Sequence, residues 1–320
     1  MKNYVLRRLL QMIPILIGVS ILIFLIIQMA PGDPLSLQMD PHMSAETKAE
    51  LRSKYNFDKN PVVQYGIWAG KALKGDFGQS FYYKQPVGKV MKTYIWNSFR
   101  LSIISFILAI IISIPIGVVS ATKQYSGFDY FFTVFALIGI SIPSFFFGML
   151  LMKWFAVDLH WLPVAGMHTA GAKLSGISNF LDVLKHMILP LIVLTLASLA
   201  SFMRYTRSSM LEVIRQDYIR TARAKGLKEK VVIYRHALKN AMIPVITLFG
   251  FWLPALFSGA IITETIFGWP GIGPVILKAV NGRDYPLLMG INMLLALLVL
   301  LGNLLADIIY AAIDPRIRYQ

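Results

Sequence analysis

Apolar residues in this chain come in long blocks, not in the period-two alternation of half-buried strands. The blocks fall at 9–29, 98–121, 130–157, 187–203, 243–267 and 287–312. A helix needs about 20 apolar residues to cross a hydrocarbon layer about 30 Å thick. The pattern therefore predicts an all-α integral membrane protein with six spanning helices and both termini on one side. Prolines fall inside the first five blocks: Pro14, Pro115, Pro143, Pro190 and Pro254. Each removes a backbone donor and is expected to bend its helix. Proline is common in membrane helices, yet five interrupted spans favour a bundle that moves.

The segments between the blocks divide the chain. Residues 1–30 hold a basic N-terminus (Lys2, Arg7, Arg8) and the first span. That start resembles a signal peptide, but the run is long enough to span and no small-residue cleavage pattern follows, so it is read as retained. Residues 31–96 form an external segment, expected to fold as a small helical cap. Ser44 is placed to cap one helix, and Asn60 with Pro61 to start another. Residues 97–320 form the core, with five spans and a cytoplasmic loop at about 205–242. Between 204 and 239 lie ten Lys/Arg and three Asp/Glu, while the connections at 158–185 and 268–285 are close to balanced. Basic residues stay on the cytoplasmic side, so that loop and both termini are predicted to be cytoplasmic.

The stretch from 210 to 244 is too polar to span. Its apolar positions keep helical spacing, as Leu211, Ile214, Tyr218 and Ala222, then Val231, Tyr234, Leu238 and Ala241. Gly226 separates the two runs and predicts helix, glycine turn, helix. Such an element either docks a soluble partner or lies as a basic amphipathic segment on anionic lipid.

Composition excludes several classes. The chain is 56% hydrophobic and 15% charged, against about 25% charged in soluble domains. The net charge of +15 is explained by membrane topology, not by nucleic acid. No cysteine is present, so thiol chemistry is excluded. Gly70-Lys71 and Gly88-Lys89 lack the rest of a nucleotide-binding loop, so any ATPase is a separate chain. The five histidines are scattered, and no metal site is expected. Lys153, Glu264 and Asp307 are the ionisable residues near membrane depth and are candidates by default. Pairing or snorkelling is favoured for Lys153 and Asp307. Glu264 is placed near the external end of its span, in reach of interfacial water. With the bend demanded by Pro270 and Gly271, and with Gly273, it makes a candidate outer gate or structural turn.

The run Arg220-Thr221-Ala222-Arg223-Ala224-Lys225-Gly226 resembles the EAA loop of binding-protein-dependent ABC permeases, in the variant of the oligopeptide/dipeptide/nickel branch. Arg220 takes the family's Glu position, and Ala222 and Gly226 match. Pro31-Gly32-Asp33-Pro34, Gly75-Asp76-Phe77-Gly78, Ser141-Ile142-Pro143-Ser144, the stretch from Phe267 to Gly273 and Asp314-Pro315-Arg316 resemble the same branch, in order. The resemblance implies a six-helix type I importer permease in a bacterial or archaeal cytoplasmic membrane. It also implies a second, homologous permease, two ATP-binding subunits that hold ATP and Mg²⁺, an extracytoplasmic substrate-binding protein, and a peptide as substrate. Arg220, Thr221, Ala222, Arg223, Lys225, Gly226 and Leu227 would then couple to an ATPase, with Ala222 letting the partner approach closely. Uptake of nickel or another small solute is the alternative within the family, and an ion-gradient-driven secondary transporter the alternative outside it.

Overall fold

The computed structural model describes residues 2–30, 35 and 43–313. The apolar blocks fold as helices that are longer than a bilayer requires. They are α1 (Lys2–Met29), α4 (Val87–Thr122), α7 (Gly176–Ile214) and α13 (Tyr285–Ile313). At 1.5 Å per residue, the 36 residues of α4 run about 54 Å. The surplus carries these helices beyond the hydrocarbon at their ends, where polar residues extend the same helix. α1, α4 and α7 continue through Pro14, Pro115 and Pro190. Pro143 does break its span. α5 (Gly127–Ser141) and α6 (Ser144–Leu151), the latter extended by a π-helical turn Met152–Asp158, meet at 102°. The residue before a proline is steered out of the helical region, and Ile142 is extended at ψ 124°.

Among the described residues, four helices are long and apolar enough to cross alone, and the bent pair makes five. The predicted block at 243–267 is not continuous. α10 (Leu238–Ser258) stops where Gly259 adopts φ +73°, and a short α11 (Ile261–Ile266) follows. The side chains of 247–251, 253 and 254 lie outside the described residues, and with them that of Pro254.

α4 and α7 form the centre of the bundle. Small residues let them approach, as in membrane helix pairs generally. A Cβ at Gly117 would stand 2.8 Å from Thr206 Cβ and 2.9 Å from the Met203 carbonyl. α10 packs on α4, α7 and α13, and α1 lies outermost against α13. α1 leaves Leu22 and Ile26 exposed, as lipid-facing positions should be. Tyr4 donates to Asp307 at 3.0 Å and Arg8 pairs with it at 3.0 Å. Lys153 pairs with Asp158 at 2.6 Å. The pairing expected for Asp307 and Lys153 is therefore observed.

The segment after α1 folds as expected into α2 (Ala45–Lys54) and α3 (Pro61–Ala72). Ser44 Oγ accepts from Thr47 N, and Asn60 Oδ1 accepts from Val62 N at 2.9 Å. The motif residues 31–34 and 314–316 lie outside the described residues. The cap is tied to the core by α1–α3 bonds, Ser20 with Tyr65 and Gln28 with Gln64, and by Asp284, which is fully buried. Asp284 caps the start of α13 through Leu287 N, and accepts from the Ser80 hydroxyl and from Tyr82 N.

Candidate functional site

Two turns carry the predicted functional residues, one at each end of the bundle. The one predicted to be cytoplasmic begins where α7 ends at Ile214. After Arg215 and Gln216, α8 (Asp217–Ala224) starts in a new direction, and Gly226 turns the chain towards α9 (Glu229–Val231). The predicted first helix is thus two helices. Of the predicted stripe, Leu211, Ile214 and Ala222 pack into one cluster across the break, while the helical register resets there and turns Tyr218 outward. Ile219 and Ala222 are buried and Tyr218 is exposed. The second stripe also shifts. α9 continues as a π-helical stretch, Val232–Ala237, into α10. A π-turn holds more than 3.6 residues, so Val232, Ile233, Ala237 and Ala241 face inward and Tyr234 outward.

α8 is seated by packing. Ile219 and Ala222 join Val118 and Ala121 of α4, Met210 of α7, Val232, Ile233 and Ala237 of the π-helical stretch and Ala241 of α10 in one buried cluster. This corrects the expectation for Ala222. Its small side chain lets α8 lie close on its own bundle and does not face a partner. The outer face of α8 and its turn presents Tyr218, Arg220, Thr221, Arg223, Lys225 and Leu227. Arg220 stands 3.3 Å from Asp217, both largely in solvent. Arg223 makes two bonds to Glu229, at 3.1 and 2.7 Å. That hold pulls the Glu229 carboxyl below its usual range and raises the Arg223 guanidinium. Arg223 therefore first braces the turn across Gly226. Gly226 adopts φ +77°, and a Cβ there would meet no atom within 4 Å. The glycine is needed for its backbone conformation, not for space.

The outer turn is the opposite case. Glu264 is fully buried, which corrects its predicted access to interfacial water. Its Oε2 accepts from Gly273 N at 2.8 Å and its Oε1 from Ala260 N at 3.3 Å, and the Ser98 hydroxyl also bonds to it. Ser98 Oγ in turn accepts from Ile272 N at 2.7 Å. A Cβ on Gly271 would overlap both the carboxylate and the Ser98 hydroxyl, and one on Gly273 would lie 2.6 Å from Ile261 Cα. Here the glycines are needed for space. Trp269, 1% exposed, donates its indole N–H to Asn97 O at 3.1 Å, and Asn97 Nδ2 donates to Pro270 O at 2.8 Å. Glu264, Pro270, Gly271 and Gly273 thus come together, on a wall supplied by α4. α12 (Ile272–Asn281) starts from this turn. Every polar group named in it has a partner, as a structural turn requires.

A third constellation was not predicted. Asp129, 3% exposed at the start of α5, takes two bonds from Arg207 of α7, at 2.6 and 2.8 Å. It also accepts from Tyr125 N at 3.0 Å. A lone acid beside the Ser126-Gly127 turn and a lone base just past a span were its only signals in the sequence. A carboxylate as buried as that of Asp129 stays charged only when paired, here with the partly exposed Arg207.

Comparison with known proteins agrees with these features. Residues 113–319 match the family described as binding-protein-dependent transport system inner membrane component. The oligopeptide transport system permease protein AppB of Bacillus subtilis is 45% identical over the full length of both chains. The dipeptide transport system permease protein DppB of Alkalihalophilus pseudofirmus is 41% identical, again over the full length of both. The glutathione transport system permease protein GsiC of Salmonella typhimurium is 39% identical over the same extent. In structure, a chain of the inward-facing MetNI methionine ABC transporter superposes with a TM-score of 0.56 at 16% identity, covering 70% of this chain and 96% of that one. That likeness shows the type I importer permease fold. The chain is a multi-pass transport subunit, not an enzyme, and it belongs to the binding-protein-dependent transport system inner membrane component family.

Proposed function

We propose that this chain is one of two homologous permease subunits of an ATP-driven importer of dipeptides or oligopeptides. Both termini and α8 lie in the cytoplasm, and the cap formed by α2 and α3 lies outside, where a binding protein delivers substrate. The observation that carries the reading is the seating of α8. A helix of eight residues is far too short to be stable alone. It is held at the foot of three long helices by Ile219 and Ala222, with its polar face outward. A force on that face is passed directly to α4, α7 and α10, whose residues share the cluster. ATP and Mg²⁺ reside on two partner ATPase subunits, one of which receives α8. The peptide class is supported by the full-length relatives named for oligopeptide and dipeptide transport.

Coupling to an ion gradient finds no support in the buried carboxylates. Among the described residues, Glu264 and Asp284 are held by backbone and hydroxyl donors within turns, Asp129 by Arg207, and Asp182 by the backbone N–H and hydroxyl of Thr169, with His186 3.6 Å away. The test is co-purification and uptake. Tagged chain drawn gently from its native membrane should bring an ATPase and a second permease, and reconstituted with them and the binding protein should import labelled peptide on ATP addition, unaffected by an uncoupler. Recovery of this chain alone, with uptake abolished by the uncoupler, would sink the reading.

A further inference from the structure

Below the outer anchor, α4, α7 and α10 enclose a recess of about 210 Å³. At roughly 30 Å³ per molecule this holds several waters. Its lining is mainly apolar and includes four serines, Ser102, Ser105, Ser198 and Ser258, beside Phe106 and Trp252. Among the described residues, no charged side chain, imidazole or carboxylate lines it. Ser102 lies one turn deeper on α4 than Ser98, the residue that supports the Glu264 turn. The last turn of α10 and the break at Gly259 and Ala260 close one side. A helix end leaves carbonyls without intrahelical partners. At membrane depth such irregular backbone persists where it is buried in protein or lines a watery cavity.

We infer that this recess is the segment of the peptide path contributed by this chain, and that it recognises the peptide backbone through hydroxyl acceptors. The inference rests on the peptide-importer reading above. Three of the hydroxyls point their protons back along their own helices. Ser105 donates to Ser102 O at 2.8 Å, Ser198 to Leu194 O at 3.2 Å and Ser258 to Ala255 O at 3.1 Å. Each oxygen keeps lone pairs for a donor in the recess. Peptide N–H groups and the terminal ammonium are such donors, and every peptide carries them whatever its side chains. A neutral wall also has no charge to trap acidic or basic residues in transit. The recess is smaller than a peptide, so passage requires α4, α7 and α10 to separate. Those helices share the α8 seat at their cytoplasmic ends through Val118, Met210 and Ala241. Movement of α8 is therefore coupled to the width of the recess.

The absence of cysteine makes the test direct. Ser102→Cys and Ser258→Cys are compared with Leu22→Cys, a lipid-facing control that is 60% exposed on α1. Each is assembled in the full transporter, and modification of this chain by a charged, membrane-impermeant methanethiosulfonate is followed by mass shift. A thiol reacts only as its hydrated thiolate. Both serine-derived thiols should be modified at least ten-fold faster than the control during ATP turnover, and saturating transported peptide should slow them several-fold. Modification no faster than at Leu22→Cys, or untouched by a peptide that the complex demonstrably imports, overturns the assignment. Failure of the peptide reading shows separately, as absence of labelled-peptide uptake by the unmodified complex.

Discussion

The two turns of this permease use glycine and charge in opposite ways. At the outer turn, Gly271 and Gly273 give way to a buried carboxylate that three donors hold in place. At the turn after α8, Gly226 stands in open space, bridged by an ion pair in solvent. The proposed coupling would use both. The Glu264 turn fixes one end of the short helices α11 and α12, so that on this proposal displacement at α8 would not be lost as local slack. The turn after α8 presents a polar face on a packed floor.

The sharpest way to break this comparison is to remove the outer carboxylate. Glu264→Leu leaves the buried N–H groups of Gly273 and Ala260 without an acceptor. Each unsatisfied buried donor costs about 1–3 kcal/mol, so a loss of about 3 kcal/mol or more is expected. It would appear as a large fall in the apparent melting temperature of the detergent-purified complex, with Glu264→Gln falling less because its amide oxygen still accepts. An unchanged midpoint for Glu264→Leu would remove the anchor role. Gly271→Ala follows, with an expected cost of about 1–3 kcal/mol from overpacking, read in the same melt. The double variant Gly271→Ala with Ser98→Gly should recover part of that loss.

Gly226→Val should separate the two ends most clearly. The residue must hold φ +77° with no neighbour to clash, so the cost is the left-handed backbone alone, about 1–2 kcal/mol. Insertion and the melt of the outer turn should stay near the unsubstituted values, while peptide uptake per ATP hydrolysed falls by an order of magnitude. Uptake at the original ratio would dissociate the turn from coupling.

How much of this was legible in the sequence follows the range of the interactions involved. Ser44 and Asn60 act within three residues of themselves, and both caps were read correctly. Gly226 was found for the same reason, since a glycine between two short amphipathic runs signals a turn locally. The helices themselves were legible as apolar blocks, but their ends were not. α4 starts eleven residues before its predicted span at 98, because a helix continues past the bilayer without an apolar signal. The inward faces of the basic loop were legible in part: Leu211, Ile214, Ala222, Leu238 and Ala241 pack inward, but Tyr218 and Tyr234 point outward, since the break at Gln216 and the π-helical stretch reset a register that periodicity treats as unbroken. The buried carboxylates were the hardest. Asp284 meets Ser80 across 204 positions and Asp129 meets Arg207 across 78. Nothing local distinguishes such acids from those that stay in solvent. Glu264 was singled out by depth, yet its burial depends on glycines that the sequence marked only as a turn.

The smallest expected effect sharpens the comparison from the α8 side. Arg223 holds Glu229 with two bonds, but both side chains are well exposed, and pairs of that kind contribute about 0.2–1 kcal/mol and are screened by salt. Arg223→Ala should therefore barely move the melt. Its influence should be on the order of α8, measured by hydrogen exchange at Arg223 to Lys228. The pair lowers the Glu229 carboxyl relative to an unfolded chain. Its contribution is present above the ordinary carboxylate range, and is lost as pH falls through the lowered value in the folded protein. The protection factor across Gly226, taken against the intrinsic exchange rate at each pH, should be steady near neutral pH, fall on acidification, and fall at neutral pH in high salt. The Glu264 turn, buried and unscreened, should show no such dependence on salt. Equal salt sensitivity at both turns would mean that the rigid end and the adaptable end had been wrongly distinguished.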